Sequence, residues 1–330
     1  MKGPDSIAGN LQADGSERAQ LSTGTLPAYV LVTPARNEAR FIEGTIQAVT
    51  AQTARPLRWA IVSDGSTDGT DEIVSRYAAE HDWIELVRMP EREERHFAGK
   101  VFAFNAGLER MKGLPYAVLA SLDADITFAS DYFEFLLGKL VADPQLGVAG
   151  TPYKDTGGDS YDTRYVSSDH VPGACQVFRR ACFEAIGGYV PSRGGFIDSV
   201  ATLMARSRGW KTQTFTEKTS LHHRLVGTAE HGPMHSRFDL GKQDWAIGNH
   251  PLWEVFRGLY QMTKRPYVLR GMTILAGYVW AALRGVERPL PRELQALRRK
   301  EEMAQLARFF RLKSKQSDSA SSSRGTQAAG

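Results

Sequence analysis

Two aspartates, Asp123 and Asp125, stand one residue apart where an apolar run, Ala117 to Leu122, comes to its end. In extended chain that spacing turns both side chains to one side. Two carboxylates so placed can share a divalent cation, and hard oxygen donors suit Mg2+ or Mn2+, ions that commonly finish their coordination with substrate phosphates. A second strand-like run ends in Val62-Ser63-Asp64-Gly65-Ser66-Thr67-Asp68-Gly69-Thr70. There Asp64 can accept from a base imide or ribose hydroxyl, and Gly65 lets the backbone come close to a ligand. Asp68 reads as the cap of a helix starting at Gly69. A third run ends in Thr33-Pro34-Ala35-Arg36-Asn37-Glu38, with Asn37 read as a cap; with the Asp64 loop it forms one rim. Farther on, His222-His223-Arg224 can bring an imidazole to a metal or a cation to phosphates. Neighbours on a strand face opposite ways, so at most one of the histidines reaches the site.

These loops need a scaffold that gathers strand ends. Short β-rich runs alternate with helical periodicity from Ala28 to about Gly150, the pattern of an α/β domain with a mainly parallel sheet. Strands are expected at Tyr29–Thr33, Arg58–Val62, Ile84–Arg88 and Ala117–Leu122, and helices at Glu38–Thr50, Gly69–Ala79, Lys100–Met111 and Asp131–Val141. In such sheets ligands bind at the carboxyl ends of strands. Residues 27–150 are read as the ligand-binding half of this domain and 151–235 as a second half. The latter has a polar loop at Lys154–Thr163, strands at Cys175–Arg179 and Lys211–Thr216, and helices near Ala181–Ile186 and Asp198–Arg206. Residues 236–315 read as a helical, basic extension broken at Pro251, Pro266, Pro289 and Pro291. Its last helix, Arg292–Leu312, sets Leu294, Leu297, Met303, Leu306 and Phe310 near one face and Arg298, Arg299 and Lys300 elsewhere. Residues 1–26 read as a flexible leader and 316–330 as a disordered tail.

A composition of 42% hydrophobic and 24% charged residues excludes collagen-like, mucin-like and wholly disordered chains. Only Cys175 and Cys182 occur, both in apolar surroundings, so free core thiols fit better than a secreted disulfide framework. The apolar stretch Met272 to Leu283 is too short to span a bilayer and is fenced by Arg270 and Arg284. Charge is uneven: Arg257 to Lys315 holds 14 Lys/Arg against 4 Asp/Glu in a chain of net +4. Such a segment faces an anionic surface. With an apolar dodecamer beside basic amphipathic helices it reads as a monotopic membrane attachment, or equally as helices packed on the core with a solvated basic face.

In order along the chain stand Pro34/Asn37/Glu38, Asp64–Thr70, Gly99-Lys100 with Asn105-Ala106-Gly107, and Asp123/Asp125. Together they resemble the family 2 nucleotide-sugar glycosyltransferases from roughly Ala28 to Arg224. The resemblance implies a GT-A type fold: a Rossmann-like, mainly parallel sheet flanked by helices. It implies that Pro34, Arg36, Glu38, Asp64 and Gly65 hold the nucleoside end of a nucleotide diphosphate-sugar, and that Asp123 and Ala124 meet the donor. Asp123 and Asp125, with His222, would serve a metal. Lys100 would lie near the donor, where a point cation suits a diphosphate, although a solvated first-turn lysine fits as well. The general base of an inverting transfer would be the acid after Gly194-Gly195-Phe196. Here that is Asp198 alone, since Ile197 stands where many relatives have Glu; the alternative for Asp198 is a helix cap. The Gln-x-x-Arg-Trp of processive synthases is missing, which favours single-sugar addition. A weaker resemblance, on Gly248 to Trp253 and Gly271 to Trp280, is to a bacterial subgroup thought to assemble exopolysaccharide or other surface glycans. It implies a glycan or polyprenyl-linked acceptor and a peripheral place at the cytoplasmic face of the cell membrane.

Other classes fit less well. A nucleotidyltransferase would show Gly-x-Gly-Thr-Arg near the first strand, where Thr33-Pro34-Ala35-Arg36 stands. An inactive nucleotide- or glycan-binding module would have lost an acid, and Asp123, Asp125 and Asp198 are all present. No nucleic-acid recognition motif accompanies the basic C-terminal part.

Overall fold

A computed structural model describes residues 25–91, 98–156, 167–192, 195–224 and 233–325. The leader expected over residues 1–26 therefore lies almost wholly outside the described residues, as does Gly194. The main sheet holds β1 (Tyr29–Ala35), β2 (Arg58–Asp64), β3 (Ile84–Met89), β4 (Val118–Leu122), β6 (Leu146–Gly150), β8 (Cys175–Arg179) and β9 (Lys211–Thr214). Its order is β3-β2-β1-β4-β8-β6-β9, and only β8 runs antiparallel to its neighbours. Alternation along β1 explains why both faces are covered. Tyr29 and Leu31 join one core with α1 (Ile42–Thr50), α2 (Thr70–Glu80) and α4 (Tyr132–Ala142). Val30 and Val32 join the other with α3 (Ala98–Glu109), α5 (Arg180–Ala185) and α6 (Ile197–Ser207). Strands buried on both sides read as unbroken apolar runs, the signal of a parallel sheet. Gly107 lets α3 lie close on the sheet: a Cβ there would fall 2.6 Å from Val32 and 2.9 Å from Val62.

Strand order reverses at β1, whose chain neighbours lie on one side and β4 on the other. The β1–β4 ladder stops at Val32↔Ser121 while β1–β2 runs on to Ala35↔Ser63. A crevice thus opens at the carboxyl ends of β1, β2 and β4, where such sheets bind ligands. The same splitting explains how Pro34 continues β1, rather than lying in a loop: on the β4 side no partner remains that would need its missing N–H.

A second, three-stranded sheet was not foreseen. Its order is β5 (Ile126–Thr127), β10 (Ser220–His222), β7 (Tyr153–Asp155), with β10 in the middle. It takes the first residues of the expected polar loop as β7 and gives His222 a strand of its own.

The C-terminal part is helical: α7 (Pro233–Ala246), α8 (Pro251–Met262), α9 (Leu269–Leu283) and α10 (Arg292–Gly325). No helix among the described residues is long and apolar enough to cross a membrane. Two expectations are corrected. Helix α10 passes Leu312 and continues to Gly325, so residues 316–325 are helical, not a disordered tail; Ala, Ser, Gln and Lys offer no breaker before Gly325. Nor do all its cations form a solvated face. Arg298 donates to Asn249 Oδ1, Arg299 to the Gly248 carbonyl at 2.9 Å, and Arg206 of α6 pairs with Glu301 at 2.8 Å. Phe309 packs edge-on against Phe256 at 4.8 Å, and Phe310, though exposed, also meets that ring at 6.1 Å. Both cysteines are buried and free.

Candidate active site

The loops after β1 and β2 are tied into one rim. Asn37 sits at φ 56 and accepts from Thr67 N at 2.8 Å, while its own N–H donates to Ser66 Oγ at 3.1 Å. It is therefore a bridge between loops and not a helix cap; α1 begins only at Ile42 and has no side-chain cap. Asp68 accepts from Thr70 N at 3.1 Å and from Ala39 N at 3.0 Å, but α2 starts at Thr70 and its cap position is Gly69, which has no side-chain capping bond. Glu38 N donates to Thr70 Oγ1 at 2.8 Å. Inside this rim Asp64, only 6% exposed, closes β2 with Arg36 at 3.9 Å. Gly65 has φ 65, and a Cβ would strike the Glu91 backbone at 2.6 Å. Its smallness already serves the passage of the chain after β3.

On the β4 side Asp123 and Asp125 turn one way and Ala124 the other. The Ala124 methyl belongs to the core, and its carbonyl accepts from Thr45 Oγ1 at 2.8 Å. This pin holds the two acids in register. Asp123 is ion-paired with Lys100 from the first turn of α3. Asp125 faces His222 Nε2 at 3.4 Å and Arg224 Nε at 3.6 Å, and Arg224 reaches across to Glu38. The other ring nitrogen, Nδ1, lies 2.8 Å from Asp155. His223 points away and meets Thr127 Oγ1 at 2.9 Å, so one histidine reaches the site, as strand geometry requires.

Charge is balanced within this cluster. Burial raises the Asp123 carboxyl above its ordinary range, against the pull of Lys100. For Asp125 burial pushes the same way, but His222 and Arg224 win and its carboxyl lies below that range. Burial would lower His222, yet its bonds to Asp125 and Asp155 hold it up at about 9. Lys100 is likewise raised by Asp123 in spite of burial. Among the described residues no three His, Cys, Asp or Glu side chains are gathered as a metal cluster. The donor set still fits a divalent cation: buried carboxylate oxygen and an imidazole whose other nitrogen is held by a second carboxylate suit Mg2+ or Mn2+.

Asp198 enters from α6. That helix starts after Gly195 (φ 90) and Phe196 (φ 59), two left-handed residues, and Asp198 lies in its first turn with no side-chain capping bond. Its start is anchored by Gln176 of β8, whose Nε2 donates to the Asp198 carbonyl at 3.3 Å and to Val171 O at 2.9 Å. Gly173 leaves room for the acid: a Cβ there would sit 3.1 Å from Asp198 Oδ2. The Asp198 carboxylate makes no hydrogen bond or ion pair within the described residues, and it is close enough to act electrostatically on Lys100. The residues missed from the sequence are Asp155 and Thr45. Neither carries a motif, and only the small sheet and the packing of α1 on β5 bring them in.

A doubly covered α/β sheet with acids and cations gathered at its strand ends defines a ligand-binding enzyme scaffold. The model of glycosyl transferase family 2 matches residues 30–200, and the chain belongs to that family. Glycosyltransferase AglD of Haloferax volcanii is 26% identical over 276 residues, covering 77% of this chain and 40% of the relative. Glycosyltransferase AglE of the same organism is 33% identical over 114 residues, 34% of this chain and 35% of its own length. The chain spans about a third to two-fifths of the length of the curated relatives it matches. Among solved structures, mannosyltransferase PcManGT from Pyrobaculum calidifontis in complex with GDP-Man and Mn2+ superposes with a TM-score of 0.53 at 18% identity, covering 89% of this chain and 92% of that one. S. aureus TarS 1-349 in complex with UDP-GlcNAc gives 0.50 at 13%, covering 86% and 80%. These likenesses establish the GT-A type fold.

Proposed function

We propose that this chain is an inverting glycosyltransferase that moves a single sugar from a nucleotide diphosphate-sugar to a hydroxyl of a glycan or polyprenyl-linked acceptor. The observation that carries the reading is the pairing of two unlike groups at one crevice. A cluster in which Lys100, His222 and Arg224 face Asp123 and Asp125 suits a diphosphate, and beside it Asp198 holds a carboxylate with no hydrogen bond or ion pair among the described residues.

In this reading Arg36, Glu38 and Asp64 with the Gly65 turn receive the nucleoside end, and Pro34 lines the crevice floor. Lys100 exchanges Asp123 for the diphosphate. Asp125 and His222, with Asp123, would hold Mg2+ or Mn2+, which when bound neutralises the departing diphosphate. Asp198 accepts the acceptor's hydroxyl proton as the new C–O bond forms at the anomeric carbon. The bond from that carbon to the diphosphate oxygen breaks on the opposite face, and its electron pair leaves with the nucleotide. The GDP-Man and UDP-GlcNAc held by the two structural neighbours support a nucleotide-sugar donor. A peripheral place at the inner face of the cell membrane, in surface-glycan assembly, completes the proposal and is supported by the basic C-terminal helices.

A thermal-shift screen of nucleotide sugars with Mn2+ tests it directly. Wild type should be stabilised by one donor, Asp125→Asn should lose the metal-dependent part with its fold intact, and Asp198→Asn should keep donor binding. Transfer by Asp198→Asn should fall about 10²–10⁴-fold; wild-type turnover in that variant would reject the base assignment.

A further inference from the structure

Helices α8 and α9 form an antiparallel hairpin, for Met262 and Gly258 both close on Gly271 while Gly258 also meets Leu275 one turn farther along α9. Gly258 and Gly271 therefore mark the facing directions of the two helices. At about 100° per residue, Leu252, Val255 and Leu259 lie about 60–120° round α8 from Gly258, and Met272, Val279 and Leu283 lie about 60–120° round α9 from Gly271. In an antiparallel pair, equal rotations in the same sense fall on the same side. All six side chains are exposed, Leu283 at 84%, so the hairpin presents one continuous apolar face to the outside. The turn that joins the helices extends it: Tyr267, Val268 and Leu269 are exposed in succession at 60%, 52% and 56%. Lys264, Arg265 and Arg270 flank that turn, and no acid lies between Arg257 and Arg284.

We propose that this face, led by the Arg265–Arg270 turn, seats on an anionic phospholipid surface. Apolar side chains at the tip enter the acyl boundary while the flanking cations meet headgroup phosphates, the combination that holds a monotopic helix pair on a membrane. Tyr267 and Trp280 suit the headgroup level, where amphipathic rings collect. Charge selects the occupant, since a second copy of this chain would set the same run of cations against itself. The surface also bears on the acceptor. Helix α10 lies against both α8 and α6, and Leu294 and Leu297 pack with Val200 and Leu203, so the seated extension is built onto the helix that carries Asp198.

This rests on the peripheral location proposed above, but its test is read without nucleotide and is therefore separate from the donor chemistry. The full chain is floated with phosphatidylcholine vesicles with and without added phosphatidylglycerol. Wild type should float with the anionic vesicles and be released by salt. The double variant Val268→Asp/Leu269→Asp should reduce the bound fraction at least about tenfold, and Arg265→Glu should weaken binding and flatten its salt dependence. Leu57→Asp, at another exposed leucine, should float like wild type. Should the aspartate variant fold poorly by circular dichroism, Arg265→Glu with the salt series decides alone. Wild type that stays unbound, variants that float unchanged, or a dimer in sedimentation that Val268→Asp/Leu269→Asp disperses would each overturn the proposal, the last by making the face an interface between copies.

Discussion

Asp155 does its work through His222. By holding Nδ1 at 2.8 Å it turns Nε2 toward Asp125, and the two acids together raise the imidazole to about 9 from an ordinary 6.5. Because the folded value is raised, the imidazolium stabilises the metal-free protein fully below pH 6.5, and that contribution is lost as pH rises through about 9. Asp155→Asn should lower the His222 value in an NMR titration of the metal-free protein and shrink this loss. The same variant should weaken Mn2+ binding by about 10–100-fold in calorimetry, the usual effect of removing a carboxylate behind a ligating histidine. An unchanged imidazole titration would mean that Asp155 has no hold on the ring. At this scale the strand-end residues Asp64, Asp123 and Asp125 were legible, because a polar residue following an apolar run is a local pattern. Asp155 was not, since an acid in a polar stretch looks the same whether solvated or bonded to a histidine.

Helix crossings in the C-terminal part depend on glycines. A Cβ on Gly241 of α7 would meet the Ile274 carbonyl at 1.9 Å, and one on Gly277 of α9 would meet the Phe238 carbonyl at 2.0 Å. Backbones this close leave no room for a methyl, so the helices must separate if one is added. Gly277→Ala gains helix propensity, roughly 1 kcal/mol, but overpacking of this kind costs about 1–3 kcal/mol. A net loss of stability is expected, read as a lower urea midpoint with an unchanged slope. A midpoint at or above wild type would show that the crossing tolerates a side chain. In the first half of the chain β1 to β4 and α1 to α4 followed from periodicity, to within four residues at the ends, while β5 and β6 were not foreseen. The glycine contacts had no such signal, because glycine in a helix is unfavourable until a neighbouring backbone is known to occupy the space.

Buried charge joins the extension into one body. Asp244, Glu254 and Glu302 come from α7, α8 and α10 and are all nearly inaccessible, with Arg257 and Arg298 among them. Burial, then the neighbouring Asp244 carboxylate, pushes Glu254 up to about 8 against the pull of Arg257; burial pushes Glu302 up to about 7. A carboxyl raised on folding adds stability below its unfolded value, and that stability is lost as pH climbs through the folded one. Glu254→Gln, which has no proton to lose, should therefore match wild type near pH 5 and exceed it above pH 8 by roughly 1–3 kcal/mol in thermal unfolding. Equal melting curves at the higher pH would place the ionisation elsewhere.

Taken by itself the sequence determined the α/β class, the places of β1, β2 and β4, and the strand-end loops where a ligand site is expected. Those features are set by repeats of two and 3.6 residues and by what can follow a buried strand, all within a few residues of each other. Tertiary structure alone decided which groups meet. It laid β10 between β5 and β7 so that His222 stands between Asp125 and Asp155, and it turned Ala124 into the core. It also brought the Asp198 helix against β8, and left one face of the α8–α9 hairpin bare. Contacts between residues far apart in the chain depend on strand order and register, and no local pattern encodes those.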